Sequence, residues 1–152
     1  MPFTVTARVE GTERVAAMLR RPGERARSFK PAFRKIYENF LQVNLRQFLS
    51  EGRYGRTPWK PLSAGYAEWK RKNYPGKTIL RRADRTFRSL IPQPSGDAVY
   101  QTTFTKSFMG TKVPYARHAD KPRPIVVITR EQRRIWPKII MDHLMSRDTR
   151  IR

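Results

Sequence analysis

The chain has no cysteine and only two histidines among its 152 residues. A disulfide framework and thiolate metal sites are thereby excluded, and imidazole is too scarce for a clustered metal site. Acidic residues are also few: 12 Asp and Glu stand against 33 Lys and Arg, a formal net charge of +21 and a pI near 11.4. They are scattered singly among the cations, where ion pairing accounts for them more simply than general acid–base chemistry. Neither G-x-G-x-x-G nor G-x-x-x-x-G-K-[ST] occurs, and Gly52, Gly55 and Gly65 lack a phosphate-cradling spacing. No apolar run approaches the roughly 18–20 residues that span a bilayer, and the opening MPFTVTARVEGTERV lacks the apolar core of a signal peptide. These absences lead to the expectation of a non-enzymatic protein without metal or cofactor, made in the cytoplasm and not bound to membranes.

What is present is enough to fold. Hydrophobic residues make up 38% of the chain and aromatics 11%, with 3 Trp, 6 Tyr and 8 Phe, so one compact domain over residues 1–152 is expected. Phe3, Val5, Ala7 and Val9 alternate with polar residues and predict a strand, Phe3 to Val9. Val15, Ala16, Met18 and Leu19 predict a short helix capped by Thr12 and stopped at Pro22-Gly23. The strongest signal is the stripe Phe33, Ile36, Tyr37, Phe40, Leu41, Asn44, Leu45, Phe48 and Leu49, a long helix from Pro31 to Leu49 with Gly52 at its end.

Arg53 to Pro61 reads as a loop, in which Trp59 either anchors the loop or meets a partner. Ser63 opens a short helix carrying Tyr66 and Trp69 that ends before the turn Asn73-Tyr74-Pro75-Gly76. Ile79, Leu80, Ala83, Phe87, Leu90 and Ile91 keep helical spacing with Arg81, Arg82, Arg85 and Arg88 largely opposite, an amphipathic, arginine-faced segment. Ala98 to Phe104 and Ser107 to Gly110 predict two antiparallel strands, and Tyr115 to Ala119 a turn or a helical turn. Ile125 to Ile128 predicts a strand covered on both sides. A helix follows, with a Thr129/Gln132 capping box, an apolar face through Ile135, Trp136, Ile139, Ile140, His143 and Leu144, and Pro137 as a kink or 3₁₀ lead-in. Arg147 to Arg152 reads as a frayed basic tail. Segregated helices and strands predict an α+β domain. A small, mostly antiparallel sheet packs against the long helix of the N-terminal half and the C-terminal helix.

The charge is spread evenly, with 10 basic and 4 acidic residues in 1–50, 11 and 4 in 51–100, and 12 and 4 in 101–152. With 23 Arg among the 33 cations, the chain carries many bidentate phosphate donors, and the aromatic–basic stretches RYGRTPW and YAEWKRKNY suit stacking on bases. No reading motif accompanies them, so a basic nucleic-acid-binding protein is one possibility and a general basic surface another. A toxin-type ribonuclease using His118 with Tyr115 and Arg117 is a third.

Four stretches taken in order carry a resemblance. They are Gly55-Arg-Thr-Pro-Trp59-Lys-Pro-Leu62-Ser63; Ile79-Leu80-Arg-Arg-Ala-Asp-Arg85 leading to Ser89-Leu90; Val113-Pro-Tyr115-Ala116-Arg-His118; and an Ile-rich segment entering a helix that ends in Asp142-His143-Leu144. Over residues 30 to 145 the chain resembles the virion morphogenesis, or tail completion, family of bacteriophage neck proteins. Ala83-Asp84 stands where that family usually has Thr-Gly, Thr86 or Phe87 where it has Leu, and its usual Gly after the tyrosine turn is missing.

The resemblance implies a structural virion protein, a subunit of a commonly sixfold ring joining the tail terminator to the head-side connector around the DNA channel. Its partners would be other neck and tail proteins, with non-specific DNA contact possible. Trp59 and Trp69 are candidate interface anchors. Arg53, Arg56, Lys60, Arg81, Arg82, Arg85 and Arg88 are candidates for contact with acidic neighbours or DNA. Like charge on neighbouring subunits opposes ring closure, so a monomer or weak oligomer is expected in dilute, low-salt solution.

Overall fold

The computed structural model describes residues 20 and 22–145. The expected strand Phe3 to Val9, most of the first short helix and the tail Arg147 to Arg152 lie outside them.

Helix α1, Lys30–Leu49, is the spine of the fold. Pro31 fits its first turn, where no intrahelical donor is required. Ile36, Phe40, Leu41, Val43, Asn44, Gln47 and Phe48 recur at helical spacing and are buried. Gly52 closes the helix at φ 91°, its N–H donating to the carbonyl of Gln47 at 3.0 Å. A Cβ there would lie 2.5 Å from the Thr57 carbonyl oxygen, so glycine is required on both counts.

A single 3₁₀ turn, Arg53–Gly55, leads into the loop before α2, Ala64–Asn73. Then come α3, Arg85–Ser89, the antiparallel pair β1, Ala98–Thr102, and β2, Ser107–Thr111, α4, Ala116–Asp120, and α5, Arg130–Met145. The hairpin pairs Tyr100 with Met109 at its centre. It is tied to α1 by Tyr100 stacked on Tyr37 with 4.2 Å between ring centroids. α5 packs along α1, with the Trp136 indole donating to the Asn39 side chain at 2.8 Å. The domain is therefore α+β, a small antiparallel sheet with a long helix and a C-terminal helix.

The core gathers Phe40, Leu41, Phe48, Trp59, Phe87, Leu90 and Ile125. Phe48 sits at its centre, with Trp59 and Phe87 both packed edge-on at 5.4 and 5.2 Å. Burying side chains of this size contributes about 1.5–3 kcal/mol each.

Four expectations are corrected. Pro22 and Gly23 do not stop a helix: among the described residues, 20 and 22–26 are helical. The segment 79–91 is not one amphipathic helix, because Leu80 and Asp84 adopt left-handed φ of 61° and 57° and only Arg85–Ser89 is helical. Ile125 to Ile128 is not a strand: Val126 lies at a bend and the segment pairs with no strand among the described residues. Only Ile125 is buried, and Val126 and Ile128 point outward. At Thr129 the hydroxyl bonds the Gln132 side chain rather than forming a reciprocal box, and the turns ahead of Pro137 are already α-helical rather than a 3₁₀ lead-in. His143 lies on the inner side of α5 as expected, its Nε2 within 2.9 Å of the Ser28 carbonyl.

Candidate interaction cleft

Two neutral donors fix the loop that follows α1. The Trp59 indole N–H and the Gln47 side-chain amide N–H both donate to the carbonyl of Pro124, at 2.8 and 2.9 Å, while the Gln47 side-chain oxygen Oε1 accepts the Gly55 N–H at 2.8 Å. Trp59 is 4% exposed, so it anchors its own loop and is corrected from interface candidate to core residue. This knot draws residues 60–61 toward 123–125. There the Arg123 guanidinium donates to the carbonyls of Lys60 and Pro61 at 2.8 and 3.2 Å.

On the other side of that clasp, α2 and the segment 80–86 enclose a cleft of about 610 Å³. Lys70 forms part of its wall although only 5% exposed, its ammonium donating to the Thr78 carbonyl at 2.5 Å. Desolvation lowers the Lys70 pKa, and nearby Arg123 and Arg81 push the same way against the attraction of Glu51 and Asp84. Asp84 is itself buried and bonded by Lys77 and by Arg81, whose two donors reach it at 3.0 and 3.2 Å. Burial raises the Asp84 pKa, but those hydrogen bonds and charges outweigh it and hold the carboxyl below its ordinary range.

The cleft brings together three sequence-stretch candidates, Arg81, Arg82 and Arg85. Arg81 is spent on Asp84 and lies 4.0 Å over the Phe87 ring. Arg85 makes a two-pronged bond with Asp97, at 2.6 and 2.9 Å, which holds the Asp97 carboxyl low. Arg82 is exposed and rests over Tyr74 at 5.7 Å. Trp69, 42% exposed, stands beside the cleft, stacked on its wall residue Tyr66 at 5.4 Å.

The other candidates lie apart from this wall. Arg88 is exposed on α3, Lys60 is exposed in the loop, and Arg53 and Arg56 are exposed around the 3₁₀ turn. Arg56 joins Tyr54, Ile128, Arg130 and Arg133 around a second, smaller depression. His118, Tyr115 and Arg117 are all exposed, and among the described residues no side-chain hydrogen bond links them.

The cleft residues that sequence reasoning missed are Lys70 and Arg123. Lys70 belongs to a Lys-Arg-Lys run that looks solvated, and Arg123 lies between two prolines. Nothing local marks either, because their placement depends on the turn at 78–84 and on the Trp59 loop.

Among the described residues no group of three or more His, Asp or Glu is placed to hold a metal ion, and no helix is long and apolar enough to cross a membrane. Comparison with family models, with curated proteins and with solved structures finds no match to this chain.

Proposed function

We propose that this chain is a structural protein of a tailed bacteriophage virion, a tail completion subunit of the neck that joins the tail terminator to the head-side connector around the DNA channel. The observation that carries the reading is an exposed set of large apolar side chains on a domain of charge +21. Trp69 and Tyr66 form one stacked pair, Phe104 and Phe108 are exposed on the hairpin, and Val126 and Ile128 are exposed on the irregular segment before α5. Aromatic anchors of this kind dominate protein interfaces. The order of motifs from Gly55 to Leu144 supports the same reading.

The role is non-enzymatic: shape and charge complementarity between stacked rings, a sixfold ring of this chain assembling on its partners rather than in free solution. An image of the neck of intact particles tests the assignment. Density for this fold at the head–tail joint is expected, and its absence from that joint contradicts the assignment.

The same charge supports a second reading, a nucleic-acid-binding protein, through its 23 Arg. Duplex binding with a steep salt dependence, by a chain that never enters particles, favours that alternative. RNA cleavage abolished by His118→Ala would favour the ribonuclease.

A further inference from the structure

The cleft between α2 and 80–86 differs from the rest of the basic surface in how its charges are held. Five cations line it against one carboxylate, Asp84. Arg81 and Arg85 already have carboxylate partners. Lys70, Arg82 and Arg123 have none within ion-pair distance among the described residues. Lys70 and Arg123 are fixed instead by backbone carbonyls, which orient the cation without neutralising it. Like charges are thereby kept close together before any ligand arrives, so a bound anion gains their attraction without first having to order them.

The remaining wall is apolar or aromatic: Leu62, Leu80, Tyr66 and Tyr115. A volume of this size accommodates a few side chains, within the range of about 300–1,000 Å³ typical of ligand pockets. The geometry points to a docking site for an acidic segment of a partner protein, one carboxylate entering between Lys70, Arg82 and Arg123 and a neighbouring aliphatic side chain lying against Leu62 and Leu80.

Duplex DNA fits less well. It carries one charge per about 1.7 Å of axis and calls for a track of cations along a surface, whereas these cations converge on one concavity walled partly by leucine. The inference rests on the assembly reading, since it names the kind of partner a neck subunit would hold.

The test is fluorescence anisotropy with the full chain and a labelled decapeptide of alternating Asp and Leu, beside a labelled 20-base-pair duplex. Saturable peptide binding is expected, weakened about tenfold by Arg82→Glu and by much less in Arg134→Glu, a charge reversal on exposed α5 away from the cleft. Tyr66→Ala removes wall area without altering charge and is expected to weaken the peptide alone; unchanged thermal melts verify that each variant is folded. Equal losses in Arg82→Glu and Arg134→Glu, equal loss of duplex and peptide binding in Arg82→Glu, or no saturable binding at all would overturn the proposal. Its fate separates from that of the neck assignment: the chain found in particles without peptide binding defeats the cleft alone, and peptide binding by a chain absent from particles defeats the neck assignment alone.

Discussion

At the end of α1, Gln47 and Trp59 donate to one carbonyl, that of Pro124; a few residues away, Lys70 and Arg123 donate to the carbonyls of Thr78, Lys60 and Pro61. The device is the same and the results are opposite. In the Trp59 knot the donors are neutral and buried, so each hydrogen bond simply removes the cost of burying its partners. In the cleft the donors are charged, and a carbonyl satisfies one hydrogen of a group that has several, leaving the charge available. The knot holds the chain together, and the cleft it helps to shape is left with unspent attraction for an anion.

The knot is where substitution should cost most. Trp59→Ala removes the indole packed edge-on to Phe48 together with its bond to Pro124, and a loss of about 3–5 kcal/mol is expected in denaturant unfolding. A loss below about 1 kcal/mol would mean that the knot does not organise the core. Gln47→Ala strands the Gly55 N–H and should cost about 2–3 kcal/mol.

Asn44, one turn earlier and equally buried, supplies the contrast: neither side-chain Nδ2 nor Oδ1 has a hydrogen-bond partner. Asn44→Ala should therefore cost far less than Gln47→Ala in the same titration, since it also removes two buried polar groups from an apolar setting. Equal losses would show that volume, rather than hydrogen bonding, governs both positions.

Asp84 gives the cleft its own stability term. Its folded-state pKa is depressed, so the stabilisation is present above the unfolded carboxylate pKa of about 3.9 and is lost as pH falls through the folded value. Asp84→Asn should cost about 2 kcal/mol near neutrality, less than a fully buried pair because Lys77 is partly solvated, and should flatten the loss of stability below about pH 4. An acid-unfolding profile identical to that of the parent would show that the ion pairs contribute nothing.

Much of the frame is legible in the sequence, and the reasons are local. Ile36 to Phe48 repeat at helical spacing over several turns, which no other local structure satisfies, and the two short strands are separated by a run compatible with a tight hairpin. The segment 79–91 misleads because its apolar spacing is met by two left-handed turns at Leu80 and Asp84. The buried Asp84 carboxylate draws Lys77 and Arg81 onto the intervening chain, a tertiary constraint that overrides periodicity. Ile125 to Ile128 has the composition of a strand. It folds instead as irregular chain with a bend at Val126, fixed by the Ile125 N–H donating to the Asp120 carboxylate at 2.7 Å, and it pairs with no strand among the described residues.

The candidate site was half visible. Arg81, Arg82 and Arg85 stand close in sequence and meet in the cleft, but two of them are consumed by carboxylates. Lys70 and Arg123, which complete it, are brought there by folding of distant segments.

Quantitative mass measurement of purified tailed particles tests the central claim most directly. A fixed small number of copies of this chain per particle, six for a single ring, is the result the neck assignment predicts. Particles that are complete, infectious and free of the chain would contradict it.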